Sequence, residues 1–335
     1  DQLGIPEDQI IKLDANENPY GPVPAVSDAL AKLPYTHIYP DPESRKLRQS
    51  IAAYNNVSFE NIIAGAGADE LIDLIMRLLL DPGDCILNCP PTFGMYQFDA
   101  DVNAARVISI PRKRNFEIDI DGIVKAIEQN QPKILFLASP NNPDGGLLSD
   151  DDLSTLLDMP NVLVMDVAYI DFALASIYRV NLVAHYENLV VLRTFSKWPG
   201  LAGLRVGYGI FPDWMMPHLW KIKQPYNVSV AGSTAAIVSF ENIEQLEART
   251  KMIIAERERL FQLLQTVAWL EPYPSQANFV LCKVIDFDAA ELKESLGQQG
   301  ILIRYFDKPG LSDHIRLSIG KPEHTDRLMS ALREF

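Results

Sequence analysis

Cysteine is scarce: Cys85, Cys89 and Cys282 are the only three in 335 residues, odd in number and scattered. That argues against a disulfide framework and points to reduced thiols. Cys85-Ile86-Leu87-Asn88-Cys89 lacks zinc-ligand spacing, and His37, His185, His218, His314 and His324 form no ligand-like group, so no metal centre is expected. No apolar run approaches the roughly 18 residues of a membrane span. The amino terminus lacks the basic-then-apolar pattern of a secretion signal, and its start at Asp1 reads as a trimmed or partly disordered end. Together these absences place the chain in the cytoplasm. Basic residues are also few, 30 Lys and Arg against 44 Asp and Glu, and the resulting charge of −14 argues against a nucleic-acid partner.

What is present is a globular composition, 47% hydrophobic, enough for one large core and a smaller domain. Residues 1 to 24 have little periodicity and read as an extended arm. Glu43 to Tyr54 reads as a helix, and Asn61 to Ala64 as a strand that enters Gly65-Ala66-Gly67-Ala68-Asp69 and a helix to Leu80. Strand patterns then alternate with helical ones: Cys85 to Leu87, Arg106 to Ile110, Ile134 to Ala138, Val162 to Met165, Leu189 to Arg193 and Val206 to Ile210. Such alternation predicts an α/β fold with a mostly parallel sheet covered on both faces, over 25 to 240. From 241 to 335 the pattern is that of a smaller α+β domain: a charged helix from Glu244 to Gln265, strands at Asn278 to Cys282, Ile301 to Arg304 and Ile315 to Ile319, and helices from Ala289 to Gln298 and His324 to Phe335.

Chemistry concentrates where strands end. Leu189 to Arg193 runs into Thr194, Ser196 and Lys197, with Arg205 close behind. A lysine at the carboxyl end of such a strand stands where open α/β sheets place ligands, and partial desolvation favours its neutral amine for Schiff-base formation. Thr194, Ser196 and Arg205 supply donors suited to a phosphate. The rival reading is a surface loop with Lys197 solvated and Arg205 paired to an acid. Gly65 to Asp69 admits two readings as well, a dinucleotide fingerprint or a phosphate resting on the helix start at Gly67, Ala68 and Asp69. The fingerprint lacks its third glycine, and Asn88 stands where its acidic residue belongs.

Two further strand ends complete a set. Ile134 to Ala138 leads to Pro140-Asn141-Asn142-Pro143, and Val162 to Met165 leads to Asp166, with Tyr169 three residues on. Asp166 suits a pyridinium nitrogen, Asn142 and Tyr169 a ring phenolate oxygen, and Lys197 an aldehyde carbon. Pyridoxal 5'-phosphate requires that set.

With these residues the chain resembles the fold-type I pyridoxal-phosphate aminotransferases and, among them, the histidinol-phosphate aminotransferase family. The motifs that carry the resemblance run in order along nearly the whole sequence: Asn16-Glu17-Asn18-Pro19, Tyr39-Pro40-Asp41-Pro42, Gly67-Ala68-Asp69-Glu70, Pro91-Thr92-Phe93-Gly94-Met95-Tyr96, Pro140 to Pro143, Asp166 to Tyr169, the Lys197 loop and Arg316. Val167 replaces a usual glutamate, and Phe93 a common tyrosine that stacks on the cofactor ring. The resemblance implies amino exchange between histidinol phosphate and 2-oxoglutarate or glutamate. It also implies a homodimer in which Tyr39 reaches the neighbouring subunit's cofactor phosphate, and a substrate anion on Arg316. A salt bridge from Arg316 to Asp307 or Asp313 is the alternative. Arg304, Tyr20 and Asn142 complete the expected substrate contacts. An aromatic aminotransferase, a phosphothreonine decarboxylase or a non-catalytic protein on the same scaffold are the rival functions.

Overall fold

A computed structural model describes residues 4–173 and 180–334. Its strands are β1 (Ile11–Leu13), β2 (Ile62–Gly65), β3 (Cys85–Asn88), β4 (Arg106–Ser109), β5 (Ile134–Ala138), β6 (Val162–Asp166), β7 (Leu189–Thr194), β8 (Gly207–Ile210), β9 (Leu270–Pro272), β10 (Phe279–Val284), β11 (Ile301–Tyr305) and β12 (His314–Ser318). They form two sheets, a seven-stranded one in the order β2-β8-β7-β6-β5-β3-β4 and a five-stranded one in the order β1-β11-β12-β10-β9.

In the large sheet only β8 runs against its neighbours, antiparallel to both β2 and β7. The strands β3 to β7 pair in parallel, so their carboxyl ends share one edge, where crossover folds present their ligand sites. The period-2 alternation of strand side chains sorts the core. Leu135, Leu137, Leu163, Met165, Leu189 and Val191 face a core continuous with Val280, Ile315 and Leu317 of the small sheet. Ile134, Phe136, Val164, Val190 and Leu192 face the other way, onto Leu71, Ile72 and Ile75 of the helix Ala68–Leu79. Each such side chain contributes about 1.5–3 kcal/mol by leaving water. Burial on both faces is why these segments read as continuous apolar runs.

The arm contains a strand that the sequence pattern did not assign. Ile11, Lys12 and Leu13 pair in parallel with Ile301, Leu302 and Ile303, and Ile11 and Leu13 are buried. Three residues are too few to show a period, and only the exposed edge of β11 makes them a strand. β9 escaped the sequence reading for the same reason, being three residues long and ending in Pro272. The final helix spans Pro322–Arg333, and the expected end at Phe335 lies outside the described residues.

Candidate active site

Beyond the carboxyl ends of the parallel strands lies a cavity of about 1270 Å³. Its walls come from the arm (Asp14, Asn16), the large sheet's loops (Asn88, Phe93, Asn142, Tyr169, Lys197) and the small sheet (Arg304, Arg316). Seven Lys or Arg but three Asp line it. In a chain of net charge −14, that local excess of positive charge favours anionic ligands.

Lys197 follows β7 on a turn shaped by its hydroxyls: Ser196 N–H donates to Thr194 Oγ1 at 3.1 Å, and that hydroxyl donates to Ser196 Oγ at 2.9 Å. The Lys197 ammonium reaches the cavity, donating to Ala15 O at 3.4 Å and standing 5.6 Å from the Tyr169 ring centroid. Asp166 is the last residue of β6 and only 6% exposed. Its Oδ2 accepts from the Tyr96 hydroxyl at 3.0 Å and its Oδ1 from Ala168 N–H at 3.0 Å. Burial dominates these bonds and pushes its carboxyl up to about 6. Tyr96 itself stacks on Phe136 at 5.0 Å and meets Phe93 edge-on at 5.6 Å, so the aromatic wall that carries Phe93 also fixes the Asp166 carboxylate.

The helix Ala68–Leu79 opens at Gly67 with no side-chain cap, which leaves backbone N–H groups at its positive end for an anion. Gly67 has φ 88°, and a Cβ there would lie 2.6 Å from Arg205 Nη2. A Cβ on Gly207 would lie 2.5 Å from Ala68 N, so β8 passes this close to the helix start only with glycine. Arg205 pairs with Asp69 at 2.6 Å, as the rival sequence reading allowed, and both side chains remain about half exposed. The guanidinium is thereby held over the helix start beside the Thr194–Ser196 turn.

Arg316 is 5% exposed, and its guanidinium is held by neutral groups, Nη1 donating to Asn142 Oδ1 at 2.5 Å and Nη2 to Asp14 O at 2.7 Å. Its Nε is buried without a partner, and burial lowers its pKa to about 10. The expected alternative, an ion pair with Asp307 or Asp313, does not form; Asp313 instead pairs with Lys283 and His314. Arg304 lies opposite Arg316 in the register of β11 and β12, and both guanidiniums approach the Phe306 ring, at 5.4 and 5.6 Å. Like charges opposite one another destabilise a strand pair, and an anion between them offsets that.

Tyr39, expected to act on a neighbouring subunit, and Tyr20, expected to touch substrate, do not line this cavity. Tyr39 is 79% exposed and stacks on Tyr226 at 4.7 Å. Tyr20 packs against the core beside Lys321, 5.9 Å from its ring, rather than against the cavity. Conversely, the sequence reading assigned no role to Tyr96 or Asn16, although both sit in motifs it quoted. Tyr96 meets Asp166 across 70 residues of sequence and Asn16 meets Tyr169 across 153, distances over which spacing carries no signal.

These groups fit pyridoxal phosphate. A desolvated carboxylate at Asp166 favours a cationic ring nitrogen, the glycine-lined helix start favours a phosphate, and Arg316 holds a buried charge hydrogen-bonded only to neutral groups. Comparisons agree. The profile of aminotransferase class I and II matches residues 8–332. Histidinol-phosphate aminotransferase 1, chloroplastic, of Arabidopsis thaliana is 52% identical over all of this chain and 80% of its own length. The histidinol-phosphate aminotransferase of Roseiflexus castenholzii is 48% identical over all of this chain and 92% of its own. The crystal structure of histidinol-phosphate aminotransferase from Sinorhizobium meliloti in complex with pyridoxal-5'-phosphate superposes with a TM-score of 0.91 at 28% identity, covering 97% of this chain and 90% of that one. The chain therefore belongs to the class I and II aminotransferases and, within them, to the histidinol-phosphate aminotransferase family.

Proposed function

We propose that this protein transfers the amino group between histidinol phosphate and 2-oxoglutarate with pyridoxal 5'-phosphate, as a homodimer in the cytoplasm. The observation that carries the substrate is Arg316, a buried cation in the cavity with only neutral partners. A buried charge of this kind is offset by an anion, and the planar fork of arginine pairs two-pronged with a phosphate or a carboxylate in turn. Arg304, opposite on β11, adds a second donor group for the same end of the substrate.

When bound, pyridoxal phosphate supplies the electron sink for the charge left on the substrate's α-carbon. Asp166 holds a proton on the ring nitrogen, and Tyr96 holds Asp166 in place. Asn142 and Tyr169 would hold the ring oxygen, Phe93 would pack on the ring, and Gly67, Ala68, Asp69, Thr194, Ser196 and Arg205 would hold the phosphate. Lys197 is the residue that would hold the cofactor's aldehyde, and its Nζ, which reaches the cavity, would move the α-carbon proton. Tyr39 acts across the dimer. In its own subunit it is exposed beside Tyr35 and Ile38, where a partner's surface would cover it. Among the described residues no helix is long and apolar enough to cross a membrane. The three cysteines are unpaired and buried, which supports a reducing compartment.

Relatives named for histidinol phosphate favour this reading over the aromatic aminotransferase and phosphothreonine decarboxylase alternatives. An amino-donor panel with 2-oxoglutarate as acceptor tests it. Histidinol phosphate is expected to outperform histidinol, phenylalanine and tyrosine; preference for either aromatic amino acid overturns it.

A further inference from the structure

The Asn16-Glu17-Asn18-Pro19 motif has no part in the chemistry above, yet Asn16 is 1% exposed and touches the site. Its backbone lies in the left-handed region, φ 55°, which asparagine enters more readily than most residues. Four hydrogen bonds enclose it. Its N–H donates to Ser318 Oγ at 2.8 Å, and Ser318 Oγ donates back to its Oδ1 at 2.9 Å. Asn278 Nδ2 donates to its carbonyl at 3.0 Å, and its own Nδ2 donates to Tyr169 Oη at 3.1 Å.

The proton count fixes a direction. A backbone N–H only donates and a serine hydroxyl has one proton, so Ser318 Oγ accepts from Asn16 N–H and directs its proton to Asn16 Oδ1. The amide is thereby turned with Nδ2 toward Tyr169; reversed, it would strip Ser318 of that acceptor. Tyr169 Oη accepts at this contact, and its own proton is left for a group on the cavity side, which Tyr169 lines.

We infer that Asn16 is a positioning residue that holds the Tyr169 hydroxyl as a donor toward the cofactor's ring oxygen, and that Ser318 ties this orientation to the strand carrying Arg316. The inference rests on the reading that Tyr169 faces the cofactor. Ser318 lies two residues beyond Arg316 on β12, so the arm, the anion-binding strand and the phenol form one hydrogen-bonded chain. The charged groups that share the phenol's cavity include Lys197, 5.6 Å from its ring, Arg316 and the Asp14 carboxylate that also acts on Arg316; Phe279 closes another side edge-on at 5.1 Å. Neither cation can accept the phenol's proton, and the Asn16 amide, as a donor, turns that proton away from itself.

A donor at the ring oxygen stabilises negative charge there. Losing it raises the pH at which the bound cofactor's visible band changes. Asn16→Gly removes the amide and keeps the left-handed backbone; Ser318→Ala leaves the amide but releases its orientation. In cofactor-loaded protein both are expected to raise the midpoint of the visible-band titration, as Tyr169→Phe does, by up to about one pH unit. In a Tyr169→Phe background Asn16→Gly is expected to produce no further shift, because the group it acts through is gone. Without cofactor, the 13Cζ resonance of Tyr169, assigned with Tyr169→Phe, is expected to move in both variants.

If Tyr169→Phe leaves the midpoint unchanged, the placement of Tyr169 falls and the inference falls with it. If Tyr169→Phe raises the midpoint and Asn16→Gly does not, or shifts it equally in both backgrounds, the inference is overturned while the functional reading stands. An unmoved Tyr169 resonance in Asn16→Gly also overturns it.

Discussion

Arg316 Nη1 donates to Asn142 Oδ1 at 2.5 Å, joining a residue of the small sheet to the turn that follows β5 in the large one. The guanidinium is buried and its hydrogen-bond acceptors are carbonyl oxygens, those of Asn142 and Asp14, with the Asp14 carboxylate acting on it through space. In our reading an anion would pair with this guanidinium, and the amide it now holds would face the cofactor.

Arg316→Lys keeps the charge and loses the fork. It is expected to weaken anionic substrates by about 1.5–3 kcal/mol, which corresponds to roughly ten- to a hundred-fold in KM. The visible spectrum of the bound cofactor should not change. Steady-state kinetics with histidinol phosphate and histidinol decide the matter: equal losses for both would remove the phosphate from Arg316.

Lys197→Ala is expected to lose nearly all turnover and the visible absorbance of covalently held cofactor. Borohydride treatment followed by peptide mapping is the direct check. Cofactor fixed to any other lysine in this variant would reassign the nucleophile.

Asp166 makes stability depend on pH with a definite sign. Burial raises its pKa to about 6 in the folded chain, so the fold favours the neutral acid. That contribution is fully present below the ordinary carboxylate range and is lost as pH rises through about 6. Asp166→Asn is neutral throughout and is expected to stabilise the cofactor-free protein at neutral pH by about 2–3 kcal/mol, while binding cofactor less tightly and transferring amino groups far more slowly. Thermal melts from pH 4 to 8, with and without cofactor, test this. Parallel melting curves for variant and wild type would contradict it.

Tyr39 is 79% exposed and does not line its own chain's cavity, so its expected role needs a second subunit. Hybrid dimers made from Tyr39→Phe chains and Lys197→Ala chains should contain one site with both defects and one with neither. Activity above that of either parent is expected once hybrid formation is verified. No rise in verified hybrids would rule out a shared site.

The strand ends and the residues that follow them were legible in the local pattern. β5, β6 and β7 are buried on both faces, so they stand out as apolar runs, and Asn142, Asp166 and Lys197 follow them at positions that parallel topology brings to one edge. The helix starting at Ala68 was legible from the helical spacing of its apolar residues, and the strand carrying Arg316 from the alternation of Ile315, Leu317 and Ile319 with polar residues. What only the tertiary structure decided lies in contacts with no period. The strand Ile11–Leu13 exists because β11 offers it an edge. Tyr96 meets Asp166, Asn16 meets Tyr169 and Arg205 chooses Asp69 across tens to hundreds of residues. Hydrogen bonds of that kind depend on where whole elements come to rest, and local sequence carries no record of it.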